Sequence, residues 1–413
     1  MIRWLIIVLV YFILAIYTFQ VIKAAKMYNI VAYCFVLISL VILGNFVFQI
    51  VYAGKVGMVF SDPNNKAKSY ALGLFLAMVV FQGIVFFFLF FEDACRFIVA
   101  IYNRYYGISK EFSLTSRRRF VSLIGLGVAT IPFSALLYGM HRGKYNYKVL
   151  NYNLEYEDLP EAFEGYKITQ ISDIHCGSFD NRSMIEYGVS LINQQKSDVI
   201  LFTGDMVNNK ADELIPWKSV FSKLEANDGI FSILGNHDYG DYVEWETEEA
   251  KRNNLIDLKN LQKEMGFDLL LNDSRYLQKG EDKIALIGVE NWGRGGFKKA
   301  GDLKKAVSKI NKDDFKILMS HDPSHWEDQV LKDDYHYHLT LSGHTHGMQF
   351  GIEIPGWIKW SPAKWRYKYW AGVYKELGQM INVNRGFGFL GYPGRVGIWP
   401  EITVITLKKR SLT

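Results

Sequence analysis

Four runs of the chain, Trp4 to Ile22, Ile30 to Ala53, Tyr70 to Phe91 and Phe120 to Met140, contain no acidic or basic residue. Each is close to the ~20 residues with which an α-helix crosses the hydrocarbon core of a bilayer. A segment in lipid must satisfy its backbone polar groups internally, so such runs are helical. Residues 1–143 are therefore expected to form a transmembrane anchor of four helices, about 4–22, 30–53, 70–91 and 120–140. Gln20, Asn45, Gln49 and Gln82 interrupt the runs and are expected to bond between helices. With no ionisable group inside the runs, a transport or proton-relay role has no support.

The basic residues between the runs bear on sidedness. Arg96, Arg104, Lys110, Arg117, Arg118 and Arg119 lie between the third and fourth runs, and Lys23 and Lys26 follow the first. The positive-inside rule assigns this group to the cytoplasm. Both termini, and the domain that follows, are then expected on the external face of a bacterial plasma membrane. The opposite arrangement collects Arg3, Lys55, Lys66, Lys68, Arg142, Lys144 and Lys148 inside, seven against eight, so the cytoplasmic face stays open. Ser116-Arg117-Arg118-Arg119-Phe120-Val121 also resembles a twin-arginine export signal, at an unusual internal position.

The remainder of the 413 residues reads as a globular α/β unit. A linker and first strand are expected over 144–164 and the main domain over 165–413. Apolar runs alternate with helical periods at 181–196, 213–225, 246–265 and 300–311, and hairpin-like strands follow. That order suggests a sandwich of two sheets. A net charge of +5 without a basic stripe gives no nucleic-acid footprint. Cys34, Cys95 and Cys176 lack C-x-x-C spacing, so no disulfide framework or structural zinc site is indicated.

Five segments, each after an apolar strand, carry the chemistry: Asp173-Ile174-His175, Gly204-Asp205, Gly235-Asn236-His237-Asp238, Ser320-His321-Asp322 and Gly343-His344-Thr345-His346. Phosphoester hydrolysis needs a nucleophile at neutral pH and a sink for phosphoryl charge, which two metals ~3.5–4 Å apart supply. Asp205 is the natural bridging carboxylate. Asn236 is a neutral ligand, and His237 could protonate the departing oxygen while Asp238 orients its ring. Mixed imidazole and carboxylate ligands favour Mn, Fe, Zn or Co over Mg. Arg385 and Arg395, in later glycine-rich loops, are candidates to grip a second phosphate. The insert 353–377 alternates Trp357, Trp360, Trp365 and Trp370 with Lys359, Lys364, Arg366 and Lys368. Such a segment suits a membrane interface, or else its rings pack on the domain.

The five segments resemble the motifs of the calcineurin-like metallophosphoesterases. The resemblance implies an α/β/β/α sandwich behind the anchor. It implies one metal on Asp173, His175, Asp205 and His346, and a second on Asp205, Asn236, His321 and His344, with His237 unligated. Asn384-Arg385-Gly386-Phe387-Gly388 and Trp399-Pro400-Glu401-Ile402 resemble a membrane-associated branch. That branch includes transmembrane proteins with a metallophosphoesterase domain and relatives that cleave UDP-2,3-diacylglucosamine in lipid A synthesis. Met348 departs from the glycine usual there. A phosphodiesterase or pyrophosphatase on a lipid-linked or envelope substrate is the expectation. A phosphomonoesterase on soluble or protein substrates, and a non-catalytic metal- or ligand-sensing membrane module, are the alternatives.

Overall fold

A computed structural model of the chain describes residues 2–55, 66–106, 114–354 and 356–410. It divides into two compact units, one ending at His141 and one beginning at Arg142. The first unit contains helices α1 (Ile2–Ala24), α2 (Asn29–Lys55), α3 (Lys66–Tyr106) and α4 (Leu114–His141). All four are long and apolar enough to cross a membrane. Leu5, Leu9, Ile13, Leu37 and Ile131 are exposed along them, as lipid-facing side chains should be. Between the helices, Gln82 Nε2 donates to Ser39 Oγ at 3.2 Å, and Tyr11 Oη donates to the Ser39 carbonyl at 2.9 Å.

Helix α3 has 41 residues and continues well past Phe91. Arg96 and Arg104 therefore lie on helix rather than in a loop, and Arg117, Arg118 and Arg119 begin α4. Arg96 pairs with Glu92 at 2.7 Å and Arg118 with Asp93 at 3.0 Å. Lys110 lies outside the described residues.

Among the described residues the second unit has fourteen strands in chain order. The first five are β1 (Lys148–Tyr156), β2 (Lys167–Ile171), β3 (Val199–Phe202), β4 (Ile230–Ser232) and β5 (Phe267–Leu269). Then come β6 (Asp273–Lys279), β7 (Asp282–Gly288), β8 (Lys316–Met319) and β9 (Leu339–Ser342). Strands β10 (Ile352–Ile354), β11 (Ile358–Trp360), β12 (Gly372–Glu376), β13 (Gln379–Val383) and β14 (Glu401–Lys409) complete the set. One six-stranded sheet has the order β1-β14-β2-β3-β4-β5, the other β12-β13-β9-β8-β7-β6, and β10 and β11 form a separate hairpin.

Period-two alternation builds the layers. Val199 and Leu201 of β3 meet Ile284, Leu286, Ile317 and Met319 of the second sheet in the central core. Ile200 and Phe202 point the other way, under helices α5 (Arg182–Asn193), α6 (Lys218–Phe221) and α7 (Glu248–Glu264). Ala285, Ile287 and Leu318 face the opposite outer layer with Leu303 and Trp326, which lie on the short helices α8 (Leu303–Ala306) and α9 (Pro323–Asp328). The result is the α/β/β/α sandwich. Two expected helices shrink. Residues 211–217, which include Pro216, are a 3₁₀ turn before a four-residue α6, and the segment expected over 300–311 keeps only α8. Strand β5 joins β4 rather than the β6–β7 hairpin, so the chain changes sheet between Leu269 and Asp273.

The entry to β9 makes folding sensitive to acid. His338 Nδ1 accepts from the Lys316 backbone N–H at 2.9 Å, so Nε2 carries the proton and donates to Asp158 at 2.7 Å. Burial pushes His338 down to about 4 despite that carboxylate. Below the unfolded value near 6.5 the unfolded chain takes up a proton that the folded one refuses. Stability is thus full above pH ~6.5 and lost as pH falls toward 4, by roughly 2 kcal/mol at pH 5. Thermal unfolding at pH 7 and pH 5 should show this slope, and His338→Gln should flatten it. Identical slopes in both proteins would refute the assignment.

Candidate metal centre

Strands β2, β3 and β4 are mutually parallel in one sheet, and β7, β8, β9 and β13 in the other. Five of these strands deliver the motif residues just past their carboxyl ends, where α/β sheets build their sites. Asp173 and His175 follow β2, Asp205 follows β3, Asn236 and His237 follow β4, His321 follows β8, and His344 and His346 follow β9.

The turns that present them are tight. Asp173, His175, Asp205, His344 and His346 all have left-handed backbone, with φ of 51°, 48°, 61°, 71° and 49°. Such conformations are unfavourable for residues with a Cβ and cluster where a fold holds side chains for function. Gly204, with φ of 96°, needs its bare backbone: a Cβ there would lie 2.5 Å from the Gly235 nitrogen. A Cβ on Gly343 would strike Ser172 Oγ and the Asp173 carboxylate. Met348 takes φ of 49° where a glycine would be easy, and its side chain is exposed.

Two groups of ligand-type atoms result, Asp173 with His175 and His346, and Asp205 with His321 and His344. His175 Nε2 and His346 Nε2 are 3.0 Å apart, and His346 Nε2 is 3.1 Å from Asp173 Oδ1. Asp205 Oδ1 accepts the His237 backbone N–H at 2.8 Å. Its Oδ2 lies 3.5 Å from His175 Nε2 and 3.2 Å from His321 Nε2. Asn236 Oδ1 is 2.8 Å from His344 Nδ1. His321 Nδ1 donates to the Thr203 carbonyl at 2.7 Å, so in the neutral ring a lone pair on Nε2 faces a carboxylate oxygen. Only a cation between the two relieves that opposition. Without a metal a proton takes the place: burial would lower His321, but the Asp205 and Asp173 charges outweigh it and raise it to about 10. Burial would likewise raise Asp173, yet the imidazoles of His346 and His321 hold it below the usual carboxylate range. His175 and His344 are pushed down by burial, which favours the neutral, ligating form. The donor set fits two metal ions.

Three expected roles need correction. Asp238 does not touch the His237 ring. Its buried carboxylate accepts backbone N–H groups of Asp205 and Gly235, both at 2.9 Å, Met206 at 2.8 Å and Val207 at 3.3 Å. Asp238 thereby ties the Asp205 loop to the Asn236 loop. Burial and the Asp205 charge push it up to about 7 against those amides. The ring of His237 is oriented instead by the Asn208 carbonyl, 2.7 Å from Nδ1. Arg385 is buried and paired with Glu401 and with Glu353, at 2.6 Å to the latter. Arg395 is fully buried and donates to the carbonyls of Gly388 at 2.6 Å and Arg385 at 2.7 Å. Both guanidiniums brace the loops beneath the centre, so neither is placed to grip a second phosphate.

Other groups at the site had no expected role. Tyr242 accepts from Asn236 Nδ2 at 2.8 Å, and its ring lies 4.4 Å from that of His237. Tyr367, in the aromatic insert, and Asp322 approach His344 Nε2 at 2.8 and 3.3 Å. Asp322 adjoins His321 in sequence, which was a signal. The tyrosines and the Asn208 carbonyl gave none.

Residues 2–144 match the family model described as "Probable Calcineurin-like phosphoesterase, transmembrane domain", and residues 166–348 match "Calcineurin-like phosphoesterase". The chain is similar to the uncharacterized metallophosphoesterase YkuE of Bacillus subtilis, with 33% identity over 60% of this chain and 82% of that protein. The chain belongs to the calcineurin-like metallophosphoesterases. It is also similar to the transmembrane protein with metallophosphoesterase domain of Danio rerio, 28% identical over 66% of this chain and 60% of that one. An uncharacterized metallophosphoesterase of Helicobacter pylori is 26% identical over 76% and 81% of the two chains. This metallophosphoesterase is thus a membrane protein and a hydrolase of phosphoesters.

Proposed function

We infer that the protein is a two-metal phosphodiesterase or pyrophosphatase acting on a lipid-linked or envelope substrate. The observation that carries the two-metal reading is the setting of Asp205. One carboxylate oxygen is tied to backbone, and the other faces His175 on one side and His321 on the other. Asp173, His175, Asp205 and His346 would hold one ion, and Asp205, Asn236, His321 and His344 the second. When bound, such a pair would supply a nucleophile at neutral pH and draw off charge from the phosphoryl oxygens.

His237 is left for proton transfer. Its Nδ1–H is committed to the Asn208 carbonyl, so Nε2 is the nitrogen that can hold a proton for the departing oxygen. The Tyr242 ring packs against the imidazole at a tilt of 38°. The full-length protein, stripped by chelator and resupplied with Mn, is expected to recover turnover of bis-p-nitrophenyl phosphate. Activity on the monoester alone would overturn the phosphodiesterase choice. No turnover of either ester at full metal loading would favour a sensing module.

A further inference from the structure

The aromatic insert divides into two parts. Trp370 is 5% exposed and packs with Ala363, Ala371 and Ile398, so it belongs to the domain. Trp357 and Trp365 are 77% and 75% exposed. Trp357 lies in the turn of the β10–β11 hairpin, which pairs Ile352 with Trp360, Glu353 with Lys359 and Ile354 with Ile358, and Trp365 follows it. Directly paired residues share a face, so Ile352, Ile354, Ile358 and Trp360 make one face and Glu353 and Lys359 the other. The charged groups are tied to the domain, although Lys359 as a whole is exposed. Glu353 pairs with Arg385 at 2.6 Å, and Lys359 Nζ donates to the Ala371 carbonyl at 2.5 Å. On β10 the apolar side chains stand open, Ile352 53% and Ile354 43% exposed, while Ile358 and Trp360 on β11 are partly covered. Trp365 meets Trp360 edge to face at 5.9 Å and extends that face.

A hairpin on a water-facing surface packs its apolar side down, whereas here Ile352, Ile354, Trp357 and Trp365 stand exposed together. We propose that the hairpin, with Trp357 at its tip and Trp365 beside it, is a second membrane contact that inserts into the headgroup layer. The occupant follows from the chain itself. Its fourth apolar helix ends at His141 and β1 begins at Lys148, so a bilayer is always within reach of the domain. Tryptophan rings suit the level where apolar and polar groups meet, and Lys364 and Arg366 supply the cationic neighbours that anionic headgroups attract. The insert also carries Tyr367, hydrogen-bonded to His344, so the contact adjoins the metal centre.

Full-length protein with the exposed Cys34 and Cys95 changed to Ser, reconstituted in phosphatidylcholine–phosphatidylglycerol vesicles, tests this. A nitrobenzoxadiazole label is placed at Trp357→Cys, at Ile354→Cys, or at Asp257→Cys on the exposed side of α7. Lipids bearing a doxyl quencher on shallow acyl carbons should cut emission at 357 and 354 to about half, as expected for groups seated near the headgroup boundary. Emission at 257 should be unchanged. Equal quenching at all three positions overturns the proposal. So does accessibility of 357 and 354 to aqueous iodide without lipid quenching, or protection from both quenchers, which would indicate a protein cover.

Discussion

Asp205→Asn is expected to abolish phosphoester turnover, by about 10³-fold or more, and to lower metal content in the same preparation. The reasoning is electrostatic and geometric. An amide presents one acceptor and no charge, while Asp205 faces two histidine groups through a single oxygen. If Asn keeps its carbonyl on the His237 N–H, its amino group points at His175 and His321, where a cation would have to sit. The backbone should survive, because Asp238 rather than Asp205 gathers the amides of this loop. An Asp205→Asn protein with full metal content and near-normal activity would refute the bridging role.

His237→Ala should separate chemistry from metal binding. A loss of about 10² to 10⁴ in kcat is expected, with metal content unchanged. The effect should be smaller for substrates whose leaving group needs no proton, such as p-nitrophenolate, than for alkyl esters. The Asn208 carbonyl holds the ring by Nδ1, which leaves Nε2 for the departing oxygen. Equal losses on both leaving groups, or a fall in metal content, would remove His237 from proton transfer.

The ligand-type residues were legible because short spacing after apolar strands is a local property. Asp173-x-His175 and His344-x-His346 announce themselves within three residues, and the structure brings them within hydrogen-bond distance. What could not be read were relations between distant backbone groups. The sequence Asn236-His237-Asp238 invites the carboxylate to serve its neighbour, yet four amides from two loops claim it. Arg385 and Arg395 look available in glycine-rich loops, but Glu401, Glu353 and bare carbonyls occupy them. The helical period over 300–311 was real in pattern but yielded one short turn. The exposure of Ile352 and Ile354 on β10 goes with Glu353 finding Arg385, a partner 32 residues away.

The position of β14 has a consequence for biosynthesis. This strand lies between β1 and β2, pairing with the first in parallel and the second antiparallel. Residues 401–409 must therefore have left the ribosome before the sheet beneath Asp173 can close. A nascent chain can hold every ligand and still lack the strand that joins β1 to β2, so this part of the sheet closes only once residues 401–409 have emerged.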